Sequence, residues 1–196
     1  MNGFSPYLDK HWLPRMPTLF THPAVALAAA PWFRGVGVYR REIVAGATLS
    51  ALPDLDVVTF VFGIPYGHVL GHRGLSHSLL FAAFMSGLFV WRWFANHPRR
   101  GPVWFYLFFC AASHGLLDAL TNGGMGVALF APFDNSRYFF PWRPIEVSPI
   151  GRAFFFNHRG EMVIGNELLW IWLPALLIAA AGLAIHIIRK RTHRTH

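Results

Sequence analysis

Five runs of apolar residues govern what this chain can fold into. They cover 16–33, 43–64, 78–95, 103–120 and 168–188, each close to the ~20 residues that a helix needs to cross a bilayer. In hydrocarbon, backbone polar groups must be satisfied within the segment or in a closed barrel, and runs of this length select helices. Charged residues make up only 13% of the chain and hydrophobic ones 54%, whereas a soluble domain carries about 25% charged residues. The 196 residues therefore predict one all-α domain, 1–196, folded as a polytopic membrane bundle of four to five transmembrane helices.

The basic residues agree with that reading. They stand in blocks at the ends of the runs: Arg34/Arg40/Arg41, Arg92/Arg99/Arg100 and Arg189-Lys190-Arg191. Blocks so placed follow the positive-inside rule, which accounts for the net charge of +8 without a nucleic-acid partner. With all three blocks cytoplasmic and five crossings, the N-terminus is outside and the C-terminus inside. Lys10, Arg15 and the arginines of 121–166 run against the rule, so the number of crossings stays at four to five. A secretory signal over 17–30, cleaved at Ala28-Ala29-Ala30, is disfavoured because the preceding region is long and His22 interrupts the apolar core. The single Cys110 allows no intramolecular disulfide or Cys-rich metal site and reads as a small buried apolar residue.

Ionisable groups in or beside such runs are costly unless they pair, line a cavity or bind metal. Asp54 and Asp56 follow Pro53, which should break the second helix and put both carboxylates on one side of a locally extended backbone. His72 and His77 lie in or next to the Gly-rich loop 65–76, with Ser76 as the expected N-cap of the next helix and His77 in its first turn. His114 and Asp118 are i,i+4 on one helical face. At about 1.5 Å per residue, Asp54, His114 and Asp118 lie roughly 17–23 Å from the cytoplasmic ends of their helices. His22, near the outer end of the first helix, joins them with His72 and His77 at one depth. The segment 121–166 reads as a long interfacial aromatic loop, with Phe139-Phe140-Pro141-Trp142-Arg143-Pro144 against the headgroups.

Mixed His/Asp ligation without thiolate suits a divalent ion, Zn²⁺ first, with Mn²⁺ or Fe²⁺ as the other choices. Asp54, Asp56, His72, His77, His114 and Asp118 are the expected ligands, with His22 behind them. That is too many for one tetrahedral zinc and enough for two ions about 3.5–4 Å apart, the arrangement used to hydrolyse esters and phosphoesters. Arg73 is placed to meet an anionic substrate group; its plainer reading is a headgroup or structural ion pair. Glu167 reads first as a carboxylate opening the last helix on its dipole, and second as a ligand or general base. A site at headgroup depth favours a lipid or lipid-linked phosphate as substrate. Three rivals stand beside this. A metal or proton carrier would continue polar residues into the inner half, where few are found. Haem ligation has no use for the aspartates. A purely structural cluster is the third.

The motifs also carry a resemblance. Thr21-His22, Pro53-Asp54-Leu55-Asp56, His72-Arg73-Gly74-Leu75-Ser76-His77-Ser78 and Ser113-His114-Gly115-Leu116-Leu117-Asp118 are joined by Arg137–Pro144 and Asn166-Glu167-Leu168-Leu169-Trp170. Together, from about His22 to Pro174, they resemble the LexA-regulated, membrane-bound metal-dependent hydrolases, the YdjM-like inner membrane proteins. The resemblance implies a multi-pass protein of the bacterial inner (cytoplasmic) membrane with a metal-dependent hydrolase site. It also brings Glu167 into that site beside Arg73.

Overall fold

The computed structural model describes residues 15–16, 21–149 and 158–192. Helix α1 (Pro23–Phe33) starts on a proline, whose fixed φ suits a first helical position. Helix α2 (Arg40–Ala51) opens where the Glu42 carboxylate accepts the Tyr39 N–H at 2.9 Å. It runs on as a 3₁₀ segment, Leu52–Phe62. Helices α3 (Leu79–Trp93) and α4 (Arg100–Ala119) follow. Helix α5 (His158–Glu167), a π turn (Leu168–Trp172) and α6 (Leu173–Thr192) form one continuous rod. Among the described residues, extended structure is limited to a two-residue antiparallel pair, β1 (Arg15–Met16) with β2 (Ser148–Pro149), and isolated bridges in the loops.

Two of these helical stretches are long and apolar enough to cross a membrane: Arg40–Phe62, with mean hydropathy 1.4, and Gly160–Thr192, with 2.3. Leu79–Trp93 is apolar but shorter. Their outward faces carry Val44, Val58, Phe84, Leu88, Leu176 and Leu177, all exposed. An apolar surface of that extent is what a hydrocarbon environment covers. Inside, Ala26, Ala29 and Ala30 of α1 meet Leu49 of α2 and Tyr106, Leu107, Cys110, Ala111 and Ala112 of α4. Small residues let membrane helices pack backbone to backbone, and Cys110 takes the buried apolar role read from the sequence.

The helices alternate in direction, and their ends sort by charge. Arg41 lies over the Phe94 ring, and Arg99 bonds the Gly35 carbonyl, so the blocks 34–41 and 92–100 meet at one end. His22 precedes α1, Asp54 follows α2, His77 precedes α3 and Asp118 lies in the last turn of α4. All four therefore fall at the opposite end.

Four local expectations are corrected. The first helix begins at Pro23 rather than residue 16, and residues 17–20 lie outside the described ones. Pro53 does not extend the backbone. It removes one backbone donor, and the chain tightens into 3₁₀ geometry instead. At three residues per turn, Asp54 and Asp56 leave the backbone about 120° apart, yet both reach one site, Asp54 at His77 Nε2 (3.7 Å) and Asp56 at His77 Nδ1 (3.1 Å). The N-cap of α3 is Ser78, whose Oγ accepts from Phe81 N at 3.1 Å. Ser76 is taken by another partner, donating to Asp56 Oδ2 at 2.5 Å. Finally, the last rod is already helical at His158, which leaves Glu167 in mid-rod and removes its role at the helix dipole. The π turn after Glu167 accommodates Pro174, which has no N–H to close an α turn there; Leu173 N bonds Leu168 O instead.

Candidate metal centre

Each ligand type arrives on a different element. The run of turns from Pro65 to Gly74 is tight enough that a Cβ on Gly74 would sit 2.2 Å from the Val69 carbonyl oxygen. It delivers Arg73 in a left-handed conformation, φ 61°, with its N–H donated to Asp56 Oδ2 at 3.2 Å. His77 then passes directly over α4. A Cβ on Gly115 would stand 2.6 Å from the His77 carbonyl oxygen, so glycine there lets the two backbones approach and brings His77 against His114.

The Nδ1 atoms fix the ring orientations. His114 Nδ1 donates to the Ser50 carbonyl at 2.6 Å. His77 Nδ1 lies 3.1 Å from Asp56 Oδ2, and His72 Nδ1 lies 2.7 Å from Asp56 Oδ1. In neutral rings that give each Nδ1 proton to one of these oxygens, the Nε2 atoms present lone pairs. Those of His77 and His114 face each other at 3.0 Å. Asp118 Oδ2 is 3.3 Å from His77 Nε2 and 3.8 Å from His114 Nε2. Asp54 Oδ1 is 3.3 Å from His114 Nε2 and 3.7 Å from His77 Nε2.

These four ligand atoms fit a cation. Donors on a tetrahedral ion at about 2.0–2.2 Å stand about 3.3–3.6 Å from one another, a range that the separations here, from 3.0 to 3.8 Å, bracket. The residues are buried, His114 and Asp118 completely. Neither carboxylate oxygen of Asp54 or of Asp118 makes a hydrogen bond. Asp118 has the Arg73 guanidinium beside it, but Asp54 has no arginine or lysine partner among the described residues, and a divalent ion would offset the cost of burying its charge. Two carboxylates and two neutral imidazoles make the donor set of a hard to borderline ion.

The remaining predicted residues surround this core. His22 stacks on His114, ring centroids 3.6 Å apart, with Nε2 3.8 Å from Asp54 and 3.9 Å from Asp118. Asp56, His72 and His77 form a second group of mutually close ligand atoms, sharing His77 with the first. Arg73 is fully buried. Its Nε stands 3.1 Å from Asp118 Oδ2, and Nη1 donates to Thr121 Oγ1 at 3.0 Å and to the Gly123 carbonyl at 2.8 Å. Glu167 is buried on the α5–α6 rod and belongs to neither ligand group. Sequence reasoning missed Ser50, Gly115, Ser76, Tyr66 and Thr121. The first acts through its backbone carbonyl and the second through the absence of a side chain, neither of which has a motif. Tyr66 packs edge-on against His72 at 5.2 Å.

The loop expected at the headgroups closes over this site. Arg137 donates to the carbonyls of His72, Tyr66 and His68 at 3.0, 2.9 and 3.1 Å. Its guanidinium also lies 5.5 Å from the Tyr66 ring, so one arginine ties segment 121–149 to the turns that carry His72.

The chain is 41% identical over 168 residues to inner membrane protein YbcI of Escherichia coli (strain K12), which covers 83% of this chain and 95% of that protein. No solved structure matches it. The family model for YdjM inner membrane proteins matches residues 16–192, and the chain belongs to that inner-membrane family.

Proposed function

We propose that this protein is a membrane-embedded metal-dependent hydrolase acting on an ester or phosphoester, with one divalent ion held by Asp54, His77, His114 and Asp118. The observation that carries the reading is the buried pair of facing Nε2 lone pairs, flanked by carboxylates that make no hydrogen bond. Zn²⁺ is the first choice of ion and Mn²⁺ or Fe²⁺ the alternatives. A bound ion of this kind supplies a Lewis acid and lowers the pKa of water.

The chain's own residues do the rest. Asp56 grips His72 and His77 through their Nδ1 atoms, the carboxylate–histidine support that sets ring orientation and basicity. Asp118 holds Arg73 in place, and Arg73 Nη2, which makes no hydrogen bond, is the edge offered to a substrate oxyanion. Glu167 is the residue assigned to proton transfer. His22 closes the site on the α1 side. Four to five crossings are assigned: α2 with its 3₁₀ extension, α3, α4 and α6, with α1 reaching part-way, since its 11 residues span only about 16 Å. The bilayer is the partner, and a lipid or lipid-linked phosphate the substrate class.

Metal analysis of the purified full chain beside His114→Ala and Asp54→Ala tests the centre. Near-stoichiometric metal, lost in both variants, supports it; metal-free wild type after mild extraction sinks it. A molar ratio of two would restore the second group as a ligand site. Glu167→Gln separates binding from reaction, because it should keep the ion and lose ester or phosphoester hydrolysis.

A further inference from the structure

An apolar groove of about 490 Å³ runs between α1, α4 and α6, within the size range of small-molecule sites, about 300–1,000 Å³. Every lining residue is apolar. Its upper end is set by Val25, Leu117 and Ile171. Val25 is one helical turn from His22, and Leu117 adjoins Asp118 in the sequence, so the groove ends against the helix turns that carry the metal centre. Its lower end is closed by Trp32, whose indole N–H donates to the Ile178 carbonyl at 3.0 Å. Seven helical steps along the rod from Ile171 to Ile178 make the groove about 10 Å long. Trp32, Phe109 and Ile178 are each about half exposed, so the groove opens sideways, to lipid. Its α6 wall includes Trp170 and Ile171 of the π turn and the Pro174 that causes it; π turns recur at functional sites.

We infer that this groove holds one fatty-acyl chain of a glycerophospholipid whose phosphate end reaches the His/Asp centre. The lipid is the substrate if that centre is hydrolytic, and in this respect the inference rests on the reading above. A lipid-exposed surface alone would be wetted by any bilayer. What distinguishes this one is a closed floor, a continuous apolar wall and an upper end one helical turn from the centre's residues.

The test uses full-length protein in phosphatidylcholine nanodiscs containing phosphatidylglycerol with a diazirine in one acyl chain. After irradiation, labelled residues are mapped by peptide mass spectrometry, and metal content is measured on the same preparations. Labelling at Phe109 and Ile178 should exceed that at Phe84 and Leu88, exposed residues of α3, by at least five-fold. Ala175→Trp and Val25→Phe, which fill the groove, should each remove that excess, whereas Leu177→Trp on the exposed face of α6 should leave it. Even labelling of all exposed faces, or an excess indifferent to filling, means annular lipid only and overturns the inference. Groove labelling in protein without metal would uphold the groove and sink the metal centre; even labelling in metal-loaded protein would do the reverse.

Discussion

His77 Nε2 and His114 Nε2 face each other across 3.0 Å inside the bundle. Both rings have their Nδ1 proton directed to an oxygen, one of Asp56 and one of the Ser50 backbone. With both rings neutral, two lone pairs at that distance repel unless a proton or a metal ion lies between them, and Asp54 and Asp118 bring the negative charge that would hold a metal ion.

The ion should therefore contribute to stability as well as to chemistry. Stripping it with a chelator should lower the melting temperature in detergent, and Zn²⁺ should restore it. At 100-fold excess over the dissociation constant, binding to the folded state alone is worth about 2.7 kcal/mol. A melting curve indifferent to chelator and metal would remove the ion from the fold.

Asp54 and Asp56 should separate in their effects. Asp54 supplies a ligand oxygen, so Asp54→Asn should abolish stoichiometric metal. Asp56 orients His72 and His77, so Asp56→Asn should weaken binding by about 10–100-fold without abolishing it. Titration with a competing chelator measures both, and equal loss in the two variants would contradict the division.

Gly115→Ala tests the backbone approach. Its Cβ would lie 2.6 Å from the His77 carbonyl oxygen, a backbone atom that does not yield easily, and 3.3 and 3.4 Å from the Leu129 and Val127 side chains. The expected cost is about 1–3 kcal/mol, read as a lower melting temperature together with weaker metal binding. A stable variant with unchanged affinity would show that His77 can shift freely.

Arg137→Lys should loosen the loop over the site. An ammonium cannot reproduce the planar fork that reaches the Tyr66, His68 and His72 carbonyls. Hydrogen exchange in 66–72 and 126–138 should speed up several-fold while the metal is kept. Unchanged protection would mean that the loop is held elsewhere.

What was legible in the sequence was whatever is written in residue type and period. Asp54, His77, His114 and Asp118 were recognisable because ionisable groups do not stand among apolar helices without a reason, and the basic blocks announced the other end of the bundle. The helix bounds were less legible, because apolar runs mark what is buried or lipid-facing and not where hydrogen bonding begins. Thus α1 starts at Pro23, and the last rod is already helical at His158, ten residues before the apolar run at 168.

The sequence by itself determined the membrane environment of this chain and the residue types that gather in its candidate centre, since both follow from side-chain chemistry. Only the tertiary structure decided the division of labour. Pro53 turns the helix into 3₁₀ geometry, which sends Asp54 inward to the ligand group and Asp56 round to the histidine Nδ1 atoms. Gly115 admits the His77 backbone, and Arg73 sets its Nε against Asp118. These depend on which backbones approach within a few ångströms, and no spacing along the chain encodes that.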